Sequence, residues 1–268
     1  MTKGFDTMPK LLSKLWNWGH LEGSHSKLKG LEQYNCSMTP EAFAQEYGIK
    51  NAFIVSYGGN INPPFDNCAK RFSCLDNIKW SVLGDSGTPL PEDRLAHAPD
   101  VIRVAEKAKN ISGGVVDDFF SIQRVEKYTP EVLSEIKAGL NENGLDFWCV
   151  LYAHDLKMGL EKYMDCFDGV TFWLWTEADL KEMDAYVEKA FSLVKNKPLM
   201  LGIYLWDFHA YKPMDTALYN LQMSKYFELL KDKRIDGIIF CSSTIGDAPF
   251  ETNKILKEYI SKYGDIEV

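Results

Sequence analysis

Two carboxylates stand side by side in "GGVVDDFF" (113–120), where Asp117 and Asp118 end an apolar, β-branched run. Adjacent like charges push one pKa upward, and that is how a carboxyl stays protonated near neutral pH for general-acid work. The competing explanation is a polar strand edge, with Asp117 bonding its surroundings and Asp118 facing water. On an extended strand Val115, Asp117 and Phe119 share one face, and Val116, Asp118 and Phe120 the other. A strand twisting into its loop could still bring both carboxylates to one place. Asp207, in "YLWDF" (204–208), is the next candidate, as a catalytic, hydroxyl-binding or structural group. Glu177 follows "WLWT" and reads as a first-turn acid favoured by the helix dipole.

Eight apolar runs can position these groups: 11–18, 51–58, 79–84, 113–119, 145–153, 169–175, 198–206 and 235–243. Amphipathic segments lie between most of them, with helix-start devices such as Thr39–Pro40–Glu41, Thr129–Pro130–Glu131 and Thr176 with Asp179. Eight strand–helix units in a chain of 268 residues predict an α/β fold, a single (β/α)8 TIM barrel spanning 1–268. An open doubly wound sheet is the alternative, weakened because no GxGxxG follows the first strand. Segment 59–78, rich in Pro, Asn and Cys, and the similar segment 84–100 predict long loops after the second and third strands.

In such a barrel the site lies at the strands' carboxyl ends. Those ends read "WNWGH", "SYGGN", "DDFF", "YAH", "WLWT", "YLWDF" and "CSST". They carry Trp16, Trp18, Trp173, Trp175 and Trp206, five of the seven tryptophans, together with Tyr57, Tyr152 and Tyr204. Aromatic rings fill cores, but flat rings with a polar handle also suit the C–H faces of a sugar, while His20 and His154 would reach its hydroxyls. The residues therefore predict a carbohydrate substrate, with Trp173 and Trp175 on one face and Trp173 a layer deeper.

Other classes fit less well. A net charge of -8 without a long basic run argues against nucleic-acid and anionic-membrane partners. No P-loop, HExxH, GxSxG elbow or strand-one HxH occurs, so no cofactor or metal is expected. A metal-dependent isomerase or hydrolase using His20, His154, His209 and carboxylates remains an alternative, and so does a sugar-binding barrel without catalysis. Glu22, His20 and His25 could also suggest a metal, although loop histidines more often hydrogen-bond. Among six cysteines, Cys68 and Cys74 share one loop and could pair, with free thiols favoured. "MTKGFDTMPK" has no apolar signal core and no window approaches a membrane span, which predicts a soluble chain, cytoplasmic as written or exported after processing.

The "VVDDFF" pair resembles the adjacent acids of substrate-assisted hexosaminidases, the chitinase and O-GlcNAcase-like group of (β/α)8 glycoside hydrolases. That resemblance implies that Asp117 orients the substrate's acetamido group and that Asp118 serves as acid and then base. It further implies that Tyr152 or Tyr204 holds the acetamido oxygen. The chitinase pattern ends in Glu where this chain has Asp118. As a whole, with "WNWGHLEGSH", "VDDFF" and "YLWDF", the chain is similar to uncharacterised glycosidase-like barrels of gut-type bacterial genomes. For a two-carboxylate enzyme the pair to consider is Asp118 with Asp207, whose separation would set retention or inversion.

Overall fold

Strands buried on both faces must be apolar throughout, and the eight runs become eight parallel strands. They are β1 (Leu15–Gly19), β2 (Asn51–Ile54), β3 (Asn77–Leu83), β4 (Ile111–Val116), β5 (Asp146–Tyr152), β6 (Gly169–Trp173), β7 (Leu199–Tyr204) and β8 (Gly237–Cys241). In the computed structural model, which describes residues 9–268, each strand pairs with its neighbour and β1 pairs with both β2 and β8. That closure makes the sheet a (β/α)8 barrel and excludes the open doubly wound alternative. Residues 1–8, most of the stretch "MTKGFDTMPK", lie outside the described residues. Among the described residues no helix is long and apolar enough to cross a membrane.

Six longer helices cover the sheet: α1 (Pro40–Tyr47), α2 (Ala98–Ala105), α3 (Pro130–Glu142), α4 (Met183–Val194), α5 (Thr216–Lys231) and α6 (Glu251–Tyr263). Thr39 caps α1 by accepting from the Ala42 amide at 3.1 Å, and Thr176 with Asp179 forms the expected reciprocal cap of a short helix, Glu177–Lys181. Thr129 has the N-cap backbone of α3, but its hydroxyl makes no bond to a helix amide. Residues Leu11–Lys14, expected as strand, form a 3-10 turn that leads into β1. Several strands also stop sooner than their apolar runs. Asp117, Asp118, Trp175 and Trp206 therefore stand in the segments that leave the barrel.

Inside the barrel, large rings face small residues. Trp173 is paired with Gly202 across the β6–β7 ladder, and a Cβ at Gly202 would come within 2.0 Å of the Trp173 ring. That space lets Trp173 fill the barrel axis, edge-on to Trp18 at 5.2 Å and tilted against Tyr204 at 5.1 Å. Nearer the amino end, Lys79 Nζ lies 2.6 Å from both Asp146 oxygens, with the rings of Trp16 and Trp148 at 5.9 and 5.6 Å. Lys79 is 5% exposed, and burial lowers its pKa against the pull of Asp146. Removing the anion strands a cation in the interior, whereas removing the cation leaves an acid at the edge that water can reach. Asp146→Asn is expected to cost about 3 kcal/mol in urea unfolding, more than Lys79→Met. Equal costs would contradict this reading of the pair.

Candidate functional site

The carboxyl ends of the strands surround a cavity of about 460 Å3. Its lining includes nine of the residues singled out in the sequence: Trp18, His20, Tyr57, Asp117, Asp118, Tyr152, His154, Trp175 and Tyr204. The rings form a connected wall. Tyr204 meets Trp175 at 5.4 Å, Tyr152 meets Trp175 at 6.0 Å, and His154 lies flat on Tyr152 at 5.2 Å. Phe208 continues the wall, 5.7 Å from Tyr204 and 5.0 Å from His25.

The acid pair is brought together by a break in the strand. β4 ends at Val116, and Asp118 adopts a left-handed backbone, φ 45°. The alternation that would have separated the two side chains ends there, and both reach the cavity. The Asp118 amide donates to Asp117 Oδ1 at 2.8 Å. Asp118 in turn accepts from the Tyr152 hydroxyl at 2.8 Å and the Ser86 amide at 2.8 Å, so three successive strand ends converge on it. Asp117 is 4% exposed. Burial, then the charges of Asp118 and Asp85, holds its carboxyl well above the ordinary carboxylate range.

Arg124 fixes this corner from behind. Its buried guanidinium donates to the carbonyls of Gly84 at 2.7 Å, Asp117 at 2.5 Å and also Asp85. One planar fork thus ties the loop after β3 to the turn of the acid pair. Arg124→Met leaves three carbonyls without their charged donor and is expected to cost about 3 kcal/mol or more, read as a Tm lowered by several degrees. An unchanged Tm would show that water replaces the clamp at no cost.

Two imidazoles on the β1 side are neutral. His25 Nδ1 lies 2.7 Å from Thr244 Oγ1 and 3.2 Å from Ser242 Oγ, and burial lowers its pKa to about 4. His20 is buried beside it, ring to ring at 5.0 Å, with both nitrogens free of protein partners and its pKa pushed well below the usual imidazole value by burial.

Four expected site residues stand elsewhere. Trp16 and Trp173 pack inside the barrel beneath the cavity, because inward positions below the rim have only each other to touch. Trp173 nevertheless supports Trp18 and Tyr204, which do line it. Trp206 turns away into the loop layer, against Phe250 at 4.9 Å and Tyr34 at 6.3 Å. Asp207 is buried, and its Oδ1 accepts from the amides of His209 and Ala210 at 3.0 and 2.8 Å. It holds a turn beside the two-residue ladder of Trp206–Asp207 with Lys212–Pro213 and is not among the residues that line the cavity with Asp118.

The lining also contains Asp85, Ser86, Asp155, Phe208 and Tyr211, which are not among the residues expected from the sequence. Asp85 and Ser86 follow β3 directly, and Asp155 follows "YAH", so strand-end position alone could have found them. Asp85 Oδ1 accepts from the Gly58 amide at 2.8 Å and the Thr88 hydroxyl at 2.6 Å. Asp155 Oδ2 accepts from the Tyr152 amide at 2.9 Å. Both carboxylates are engaged in holding their loops.

Among the described residues no three His, Cys, Asp or Glu side chains gather closely enough to hold an ion. Glu22 pairs with Arg71 at 2.9 Å, Glu177 with Lys212 at 2.6 Å, and His209 lies outside the lining. All six cysteines are free thiols, Cys68 and Cys74 included.

No protein-family model matches the chain, and no curated protein matches it in sequence. Solved structures do share its architecture. A zinc-bound amidohydrolase from Burkholderia multivorans superposes with a TM-score of 0.58 at 12% identity, covering 95% of this chain and 91% of that one. A chitinase from Chromobacterium violaceum ATCC 12472 gives 0.56 at 11% identity, covering 91% and 98%. The spore cortex-lytic enzyme SleL of Bacillus megaterium QM B1551 gives 0.56 at 12% identity, covering 96% and 75%. At such identities the likeness shows one thing, the (β/α)8 barrel fold that this chain has in common with them.

Proposed function

We propose that the cavity hydrolyses glycosidic bonds of N-acetylated amino sugars, with Asp118 as proton donor and Asp117 as the orienting group. One observation carries the reading. The adjacent acids meet in an aromatic-walled cavity, where the Tyr152 hydroxyl and the Ser86 amide hold Asp118 beside Asp117. Asp85 and Asp155 are held in loop hydrogen bonds, and Asp207 is outside the lining. On this reading the nucleophile comes from the substrate itself.

The acetamido oxygen attacks the anomeric carbon as the glycosidic oxygen takes a proton from Asp118 and leaves. Asp117 accepts the acetamido N–H and offsets the charge on the cyclic intermediate. Water then adds to the anomeric carbon, giving its proton to Asp118 and reopening the ring to the acetamide. In the free protein, burial and its neighbours favour the protonated form of Asp117. Accepting an N–H favours ionised Asp117, and general-acid work requires the proton on Asp118. Tyr152 is engaged by Asp118, which leaves Tyr204 to hold the acetamido oxygen.

The test is a panel of nitrophenyl glycosides in matched pairs, with an acetamido or a hydroxyl group beside the anomeric carbon. Turnover confined to the acetamido members is expected. Equal turnover of both would remove substrate assistance, and sugar binding without any product would reduce the protein to a binding barrel.

A further inference from the structure

The cavity lining carries four acids, Asp85, Asp117, Asp118 and Asp155, and neither a lysine nor an arginine. Nearby basic groups are engaged or uncharged. Arg124 gives its guanidinium to backbone carbonyls behind the acid pair. His20 and His25 are buried and neutral. His154 is open to water, and its Nε2 lies 3.5 Å from Asp155. Lys29 Nζ stands 5.5 Å over the Tyr211 ring at the rim and is not among the lining residues.

We infer that the site selects by charge: it accepts an uncharged N-acetylated sugar ring and rejects one bearing a phosphate, sulfate or carboxylate. The inference rests on the proposed function and specifies its substrate class. Sites that recognise anions supply an arginine fork, a lysine or a set of free amides. Here an entering anion would shed water, find no counter-charge and meet carboxylates in a cavity where water screens poorly. Repulsion of the wrong partner is as effective for specificity as attraction of the right one. The aromatic wall and the hydroxyls of Tyr57 and Tyr204 remain suited to an uncharged ring.

Calorimetric titration at low salt tests this with three ligands: N-acetylglucosamine, its phosphate monoester and its methyl ether at the same hydroxyl. The methyl ether separates bulk from charge. The phosphate is expected to bind at least roughly tenfold more weakly than the methyl ether, and the gap to narrow at high salt as screening grows. Asp155→Asn, which keeps the acceptor for the Tyr152 amide, is expected to narrow it too. Phosphate binding as tight as the methyl ether's would overturn the charge selection while leaving the proposed hydrolysis standing. Failure of all three to bind, together with no turnover in the glycoside panel, would overturn both.

Discussion

Asp118→Asn is expected to lower turnover of an unactivated N-acetylhexosaminide by about a thousandfold, the scale that a positioned general acid supplies. Binding and folding should change little. Asparagine keeps an oxygen for the Ser86 amide, and the Tyr152 hydroxyl, which now donates at 2.8 Å, can turn to accept from the new amide group. The loss should also depend on the leaving group. A nitrophenolate departs without a proton, so its glycoside should retain much more activity than an alkyl glycoside does. Paired kcat values for the two substrates, with Tm as a folding control, check this. A loss equal for both leaving groups would mean that Asp118 does not protonate the departing oxygen.

Asp117→Asn should separate activity from stability. The orienting carboxylate offsets charge that develops only during reaction, and its removal is expected to cost about a hundredfold in kcat. Stability should move the other way. Burial and the neighbouring acids raise the folded-state pKa of Asp117 well above its unfolded value, 3.8. Between those two values the folded chain holds a proton that the unfolded chain releases. Stability from this group is therefore fully present below pH 3.8 and is lost as pH rises towards the folded value. Asparagine escapes that loss and still accepts from the Asp118 amide through its Oδ1. The variant's Tm should thus exceed the wild type's near neutral pH, and the difference should shrink as pH falls to about 4. A variant less stable than wild type at every pH would show that the Asp117 carboxyl is not a buried, strained group.

Much of this frame can be read in the chain because it depends on local rules. Apolar runs bounded by polar segments mark the eight strands, and Thr39–Pro40 and Thr176 with Asp179 mark helix starts that the hydrogen bonds bear out. The position of the acid pair at the end of the fourth strand follows from counting those units. What the chain does not display is where each strand lets go. The left-handed turn at Asp118 depends on the Arg124 fork and on the Ser86 amide, both contributed by other segments. "YLWDF" looks continuous, yet the barrel strand ends at Tyr204, after which Trp206 packs on Phe250 and Asp207 closes a turn. Tyr204 and Phe208 of that stretch stay at the cavity. Ring closure, a contact between the first and last strands, decides which face of each loop points inward, and no local pattern encodes it.

The central claim is that the substrate supplies its own nucleophile beside Asp117 and Asp118. The most direct measurement is kcat/KM for a series of nitrophenyl N-acylhexosaminides whose acyl methyl carries progressively more fluorine. Fluorine withdraws electrons from the acyl oxygen and weakens it as a nucleophile, while the ring and leaving group stay the same. A rate that falls with each added fluorine is the predicted result. A rate indifferent to fluorination would contradict the account, because the nucleophile would then belong to the protein or to water.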